Sequence, residues 1–388
     1  MVTNLTVSIL MYMEFPFVFG KIVTGPQFIN RKKELAKLKA NIDHGIHTVL
    51  ISPRRWGKSS LIKHLSKKMS KDKHFKFVLI DFFRFSDEQE FYEEYSKAIL
   101  KAGSSKLSDL GNLVQKFFKG LQPSISIGNV ASGEFNVSFQ WEDIEKNYEE
   151  VLDLPEKIGK KRDQRFVICI DEFQSLEKFK NPELFQSRLR SVWQHHTQVV
   201  YILYGSKRHM MNRIFNSQNH PFFRFGEIMY LQKIKKKHFC QHIISTFGKS
   251  GKTIPKDRAN KIITLAERNP YFIQQLSRYV WIKSGELVID SDIKEAVNEI
   301  ILQNAMWYLR EVERMTPTQF NFLKAVMNEE KNLSGQGVIK KYKLGSSANV
   351  AKIKKVMEDR EILDFWNPYP EFNDPFFKFW IRKQVHSN

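Results

Sequence analysis

The chain has 388 residues, with 62 Lys plus Arg against 42 Asp plus Glu, a formal net charge of +20, and 32 Phe. That length and aromatic content support two or three packed domains and exclude a polar disordered chain. The only two cysteines, Cys169 and Cys240, have neither disulfide nor zinc spacing, which excludes a disulfide scaffold and suits a reducing, cytoplasmic compartment.

In chain order, Met1 to Tyr12 reads as a tail. It is mildly apolar, lacks a basic n-region and is far too short to span a bilayer, so no membrane partner is expected, and Met13 is an alternative start. The strand-like run His47–Ile51 leads into Ser52-Pro-Arg-Arg-Trp-Gly-Lys-Ser59, followed by Leu61, Ile62 and Leu65 at helical spacing. This is the setting of a phosphate-binding loop. Ser52, Pro53, Arg54, Arg55, Trp56, Gly57, Lys58, Ser59 and Ser60 are the expected nucleotide-binding residues. Backbone N–H groups and a helix N-terminus surround the β-phosphate, Lys58 reaches the β/γ-phosphates, and the Ser59 hydroxyl is offered to Mg²⁺. Ser52 stands where such loops usually have their first glycine, which a serine tolerates only with φ below zero. A bare Gly-Lys-Ser/Thr arises by chance in roughly one chain in five of this length, so surroundings decide. Gly248-Lys-Ser250 and Gly251-Lys-Thr253 follow the helix-like Phe239–Phe247 and precede Ile254-Pro255, and read as a helix end and loop.

Phe77–Phe82 reads as a buried strand and Asp87–Leu100 as an amphipathic helix. Ser124–Ile127 and Glu134–Phe139 alternate with period two around Gly128 and Gly133, the pattern of a β-hairpin insertion within 121–141, expected to cover a sheet edge. Arg165–Ile170 is a continuous apolar strand ending in Asp171-Glu172, a Walker B pattern. Because strand ends in a parallel sheet converge on the ligand crevice, Asp171 is expected to hold Mg²⁺ through water and Glu172 to orient and deprotonate the attacking water. His195-His196 falls in a helical stretch and is expected on the surface. From Thr48 to about Ile234 strands alternate with helices, the mark of a parallel sheet with helices on both faces. Lys235 to about Arg314 is helical throughout. From Thr316, three helical segments precede Ile362–Phe365 and Tyr369–Phe372, which read as a β-wing.

Four segments in order, Phe28-Ile-Asn-Arg-Lys-Lys-Glu-Leu35, Pro53–Leu61, Ile168–Phe173 and Asp374–Trp380, resemble the archaeal-type P-loop ATPases of the STAND branch of AAA-like ATPases. The resemblance runs from about Phe15 to Arg382. It implies an α/β P-loop core over 15–234 after a tail of 1–14, a helical lid over 235–314 and a winged helix over 315–388. It also implies that Val199–Ser206 is the fourth core strand, with Ser206 at its tip contacting the γ-phosphate or the lytic water. Arg224, in His220–Gly226, corresponds to an arginine that stabilises transition-state charge. Pro270, in Arg268-Asn-Pro-Tyr271, corresponds to a lid proline packed by the base, and Arg268 departs from the glycine of that pattern.

The expected function is a Mg²⁺-dependent, ATP-hydrolysing molecular switch whose lid and winged helix transmit nucleotide state to a partner. The alternative is a nucleotide-stabilised DNA-binding or scaffold protein with little turnover. ATP is favoured over GTP because no Asn-Lys-x-Asp signature ends a strand. DNA, a protein effector and a second copy of the chain are the candidate partners. Residues 315–388 carry 12 Lys plus Arg and 8 Asp plus Glu, the share that an even spread of +20 gives, so the basic excess is general. Within that segment Asn349, Lys352 and Lys355 form a candidate reading face, with Lys340, Lys341 and Lys343 adding phosphate contacts.

Overall fold

The apolar runs found in the sequence become the centre of a parallel sheet. The computed structural model describes residues 15–104, 108–127 and 135–386. Two compact units result: Arg31–Gln232, and a second unit built from the segment ending at Asn30 and the segment beginning at Lys233. Each has its own apolar core.

In the first unit the elements run α1 (Lys32–Asp43), β1 (Thr48–Ile51), α2 (Lys58–Met69), β2 (Phe75–Asp81), α3 (Glu88–Gly103), α4 (Ser108–Phe117), β3 (Ser124–Ile127), β4 (Phe135–Ser138), α5 (Trp141–Leu152), α6 (Leu154–Arg162), β5 (Arg165–Asp171), α7 (Pro182–Trp193), β6 (Val199–Gly205), α8 (Arg208–Asn216) and β7 (Glu227–Tyr230). The sheet order is β2-β5-β6-β1-β7, every pairing parallel. Every residue of β6 is buried and β5 is buried between its ends, as strands covered on both faces require. The register aligns Ile51 with Gly205 and Tyr230, and Asp81 with Asp171, so the phosphate loop and the Asp-Glu pair leave the sheet at one rim.

Helices close the core with large aromatics. Trp193 stacks on Tyr201 with ring centroids 4.1 Å apart, and Phe82, Phe91, Phe173 and Phe185 are fully buried. Burial of each such side chain contributes about 1.5–3 kcal/mol. His196 is part of this core rather than the surface expected from its neighbours in sequence: its ring nitrogens lie 2.9 Å from the Tyr201 hydroxyl and 3.0 Å from Asp153 Oδ1. A turn after α7 folds it under the sheet, which helical periodicity does not reveal.

β3 and β4 form the antiparallel hairpin read from the sequence, pairing Ile125 with Val137; Gly128 and Gly133 lie outside the described residues. The hairpin covers α3 rather than a sheet edge. Phe135 and Val137 are buried, Lys97 donates to Asn136 at 3.1 Å, and Glu93 accepts the Phe139 N–H at 3.2 Å.

The second unit contains α9 (Lys236–Lys249), α10 (Lys256–Leu265), α11 (Pro270–Lys283), α12 (Asp290–Glu313), α13 (Pro317–Met327), α14 (Gln336–Lys341), α15 (Ser347–Asp359), the short antiparallel pair β8 (Leu363–Asp364) and β9 (Glu371–Phe372), and α16 (Pro375–His386). Phe15 packs edge-on to Trp281 and Phe17 against Phe247, so residues ahead of the phosphate loop in sequence belong to this core. The Gly-Lys-Ser decoy is the end of α9: Gly251 is left-handed at φ 77, the Lys252 N–H bonds Phe247 O, and its ammonium donates to Trp281 O and Ser284 O. Among the described residues no helix is long and apolar enough to cross a membrane.

Candidate nucleotide site

The phosphate loop leaves β1 and closes into α2 through two left-handed residues, Arg55 at φ 65 and Gly57 at φ 88. Ser52 is not among the left-handed residues, so its Cβ is tolerated where a glycine usually stands. Ser52 and Pro53 are buried, whereas Arg54 and Arg55 are exposed. Gly57 needs its left-handed φ at the first step of the helix, and an added Cβ would be strained there although nothing blocks it. Lys58 is only 6% exposed, and its ammonium donates to Ser52 O at 3.0 Å and Pro53 O at 3.2 Å.

Across the rim, Asp171 Oδ2 accepts the Ser59 hydroxyl at 2.6 Å and Oδ1 accepts the Glu172 N–H at 2.9 Å. Burial raises the Asp171 pKa to about 6 and the adjacent Glu172 charge adds to this, against the lowering effect of Ser59 and Lys58. A hydroxyl and a buried carboxylate in contact are the hard oxygen donors that Mg²⁺ takes alongside nucleotide phosphates and water. Among the described residues no group of three or more His, Cys, Asp or Glu could hold a metal by itself.

Glu172 is left-handed at φ 48, an uncommon backbone for a residue with a Cβ and one that clusters at functional sites. Its Oε2 accepts both the Ser206 hydroxyl at 2.8 Å and Gln174 Nε2 at 2.5 Å. The structure thus brings Lys58, Ser59, Asp171, Glu172 and Ser206 together at the ends of β1, β5 and β6.

Two other predicted residues have different surroundings. Arg224 is exposed and left-handed; its guanidinium lies over the Phe223 ring at 5.0 Å and its N–H bonds Phe215 O. Pro270 lies in the second unit, at the first turn of α11 behind the Asn269 cap.

Three further residues were not singled out from the sequence. Gln174, 3% exposed, completes an Asp-Glu-x-Gln stretch whose last member is recognisable only once Glu172 is assigned. Arg208 opens α8 just after Ser206 and its guanidinium lies 5.6 Å from the Trp56 ring centroid. Arg31 sits in the upstream segment that carries the family resemblance and reaches the loop at Trp56 O, 3.2 Å away.

On α15, Lys352 and Lys355 are exposed as expected of a reading face. Asn349 is not available to it: its side chain is half-buried and donates to Leu344 O at 2.8 Å, closing the turn before the helix. Lys341 is engaged with Glu330 at 2.7 Å.

Comparison with known proteins gives the same architecture. A family model described as an ATPase domain predominantly from Archaea matches residues 28–276, and one described as a probable winged helix domain matches 306–383. The fold is similar to the Walker-type ATPase PABY2304 of Pyrococcus abyssi, with a TM-score of 0.68 at 15% identity over 95% of this chain and 99% of that one. It is also similar to the Aeropyrum pernix ORC2 protein in its ADPNP-ADP complexes, with a TM-score of 0.51 at 11% identity over 95% and 97%. No curated protein matches the sequence. The loop, the Asp-Glu strand end and the matched region of more than half the chain lead to one conclusion: this protein belongs to the family of ATPase domains found predominantly in Archaea, and it carries a C-terminal winged helix domain.

Proposed function

We propose that this ATPase is a Mg²⁺-dependent molecular switch of the STAND type, acting in the cytoplasm, in which Glu172 activates the attacking water. The observation that carries this reading is the double tether of Glu172 Oε2 to Ser206 and Gln174, beside the Ser59–Asp171 pair. A general base must be held at a fixed place and remain able to take a proton. Both tethers use one oxygen, and Oε1 has no protein donor among the described residues.

In this scheme the loop amides and Lys58 hold the triphosphate. Lys58 exchanges the carbonyls of Ser52 and Pro53 for phosphate oxygens, one set of acceptors for another. Ser59 and Asp171 would hold Mg²⁺, which offsets charge on the phosphates when bound. Glu172 takes the proton of the water that attacks the γ-phosphorus, and ADP leaves with the bridging oxygen. Arg224 and Pro270 keep the transition-state and base-packing roles that the family resemblance assigns them. The lid and the winged helix pass the nucleotide state to a protein effector, DNA or a second copy.

A second reading, a nucleotide-stabilised DNA-binding scaffold, is favoured by the exposed Lys352 and Lys355 on α15. One experiment separates the two: Mg²⁺-dependent ATP hydrolysis by the wild type, Lys58→Ala and Glu172→Gln, with and without double-stranded DNA. The switch requires turnover that falls about 10²–10⁴-fold in Glu172→Gln while ATP binding persists, and binding itself lost in Lys58→Ala. Wild-type protein that binds ATP and never hydrolyses it supports the scaffold.

A further inference from the structure

Arg31 is an arginine at 4% exposure, held in a left-handed backbone at φ 92. Its guanidinium donates to Glu34 Oε1 at 2.8 Å, to Gln232 O at 2.5 Å and to Trp56 O at 3.2 Å. The chain passes between the two units at two places only, Asn30–Arg31 and Gln232–Lys233. One side chain therefore begins at the first crossing, bonds the last residue before the second, and bonds the phosphate loop.

The third bond matters because of peptide geometry. The Trp56–Gly57 peptide is planar and trans, so its carbonyl and the Gly57 N–H point in opposite directions. Holding Trp56 O fixes where the Gly57 N–H is aimed, and that N–H is among the loop amides that would meet phosphate. The second crossing is tied to the other end of the same loop: Leu231 N–H bonds Ile51 O at 3.0 Å, one residue before Ser52. The Trp56 ring is engaged independently by Arg208, which follows the Ser206 tether of Glu172.

We propose that Arg31 is a positioning residue that couples the Trp56–Gly57 peptide to both chain crossings, so that phosphate capture by the loop orders residues 28–36 and 228–238. The coupling rests on the nucleotide-binding reading above. Arginine suits the task because its planar fork can serve three acceptors at once, which a lysine ammonium on a flexible stem does not reproduce.

Hydrogen–deuterium exchange of the full chain, with and without AMPPNP and Mg²⁺, tests it. In the wild type, nucleotide slows exchange in 52–60 and also in 28–36 and 228–238. In Arg31→Lys the slowing at 52–60 persists and the slowing at the two crossings disappears. Equal slowing at the crossings in Arg31→Lys overturns the proposal, as does a wild type that responds only at 52–60. A wild type with no response at 52–60 removes the nucleotide-binding reading and the coupling with it. Should Arg31→Lys fail to fold by circular dichroism, Glu34→Gln, which loosens the Arg31 fork, is read by the same criteria.

Discussion

In the proposed switch Glu172 is the residue on which hydrolysis depends, and its neighbours set how well it is placed. Gln174 Nε2 and the Ser206 hydroxyl converge on the same carboxylate oxygen. Removing one of two tethers lets the carboxylate wander by a fraction of its reach without touching the phosphate loop. Gln174→Ala is expected to lower kcat about 10- to 100-fold with little change in KM for ATP, measured by steady-state hydrolysis. Gln174→Glu sets a like charge against Glu172 and should lower kcat further. The sequence marked Glu172 because it follows an apolar strand, and strand ends are where such sheets place chemistry; Ser206 was marked by the family resemblance, as the tip of the fourth core strand. It did not mark Gln174, Arg31 or Arg208. A glutamine, or an arginine among 62 basic residues, carries no signature until its partner's position is known.

At the scale of elements, the tip of β6 and the turn after β5 are in unusually close approach. A Cβ built on Gly205 would lie 1.9 Å from Gln174 Oε1 and 2.7 Å from Met211 Sδ. Gly205 has no left-handed φ, so the demand for glycine here is one of space alone. Gly205→Ala should cost about 1–3 kcal/mol of stability through overpacking, read as a lower Tm, and it should lower kcat as well by displacing Gln174 from Glu172. The elements themselves were legible because their patterns are strong: β5 is apolar between its charged ends, β6 is buried along its length, and α15 begins at a serine cap. The hairpin was legible as a hairpin, from period-two alternation. That it rests on α3 was not, because alternation tells which face is apolar but not which element covers it.

At the scale of the whole molecule, each unit holds a largely desolvated histidine in neutral form. Burial is the largest cause in both cases and lowers the pKa of His47, in the first unit, and His242, in the second, to about 4. Electrostatic repulsion from Arg190 adds to the effect at His47, and from Lys249 at His242. With an ordinary pKa near 6.5 the unfolded chain takes up protons first, so stability is full above about pH 6.5 and falls as pH drops towards 4. The loss is on the order of 3 kcal/mol for each histidine, and denaturant melts at pH 7 and pH 4.5 should show it. His47→Phe should flatten part of this dependence.

The net charge of +20 acts at the same scale. An evenly spread excess favours weak association with any polyanion, so affinity for DNA alone says little about the winged helix. If α15 is the element that meets DNA, Lys352→Glu with Lys355→Glu weakens binding in low salt and lowers the slope of log affinity against log salt by about 0.9 for each phosphate that is no longer neutralised. Fluorescence anisotropy with a labelled duplex across a salt series measures both; an unchanged slope places the DNA elsewhere on the basic surface.

What the sequence by itself determined is the chemistry of contiguous pieces: the phosphate loop, the Asp-Glu strand end, the parallel sheet and the winged helix. Each is written in residues that lie next to one another, where backbone geometry and apolar period act over a few positions. Tertiary structure alone decided the contacts between distant pieces. Gln174 and Ser206 share one oxygen of Glu172, Asn349 is spent on a turn, His196 is buried, and Arg31 reaches a carbonyl 25 residues along and another 201 residues along. Those contacts follow from how helices and strands pack, and packing is set by the summed burial of many side chains rather than by any one segment of the chain.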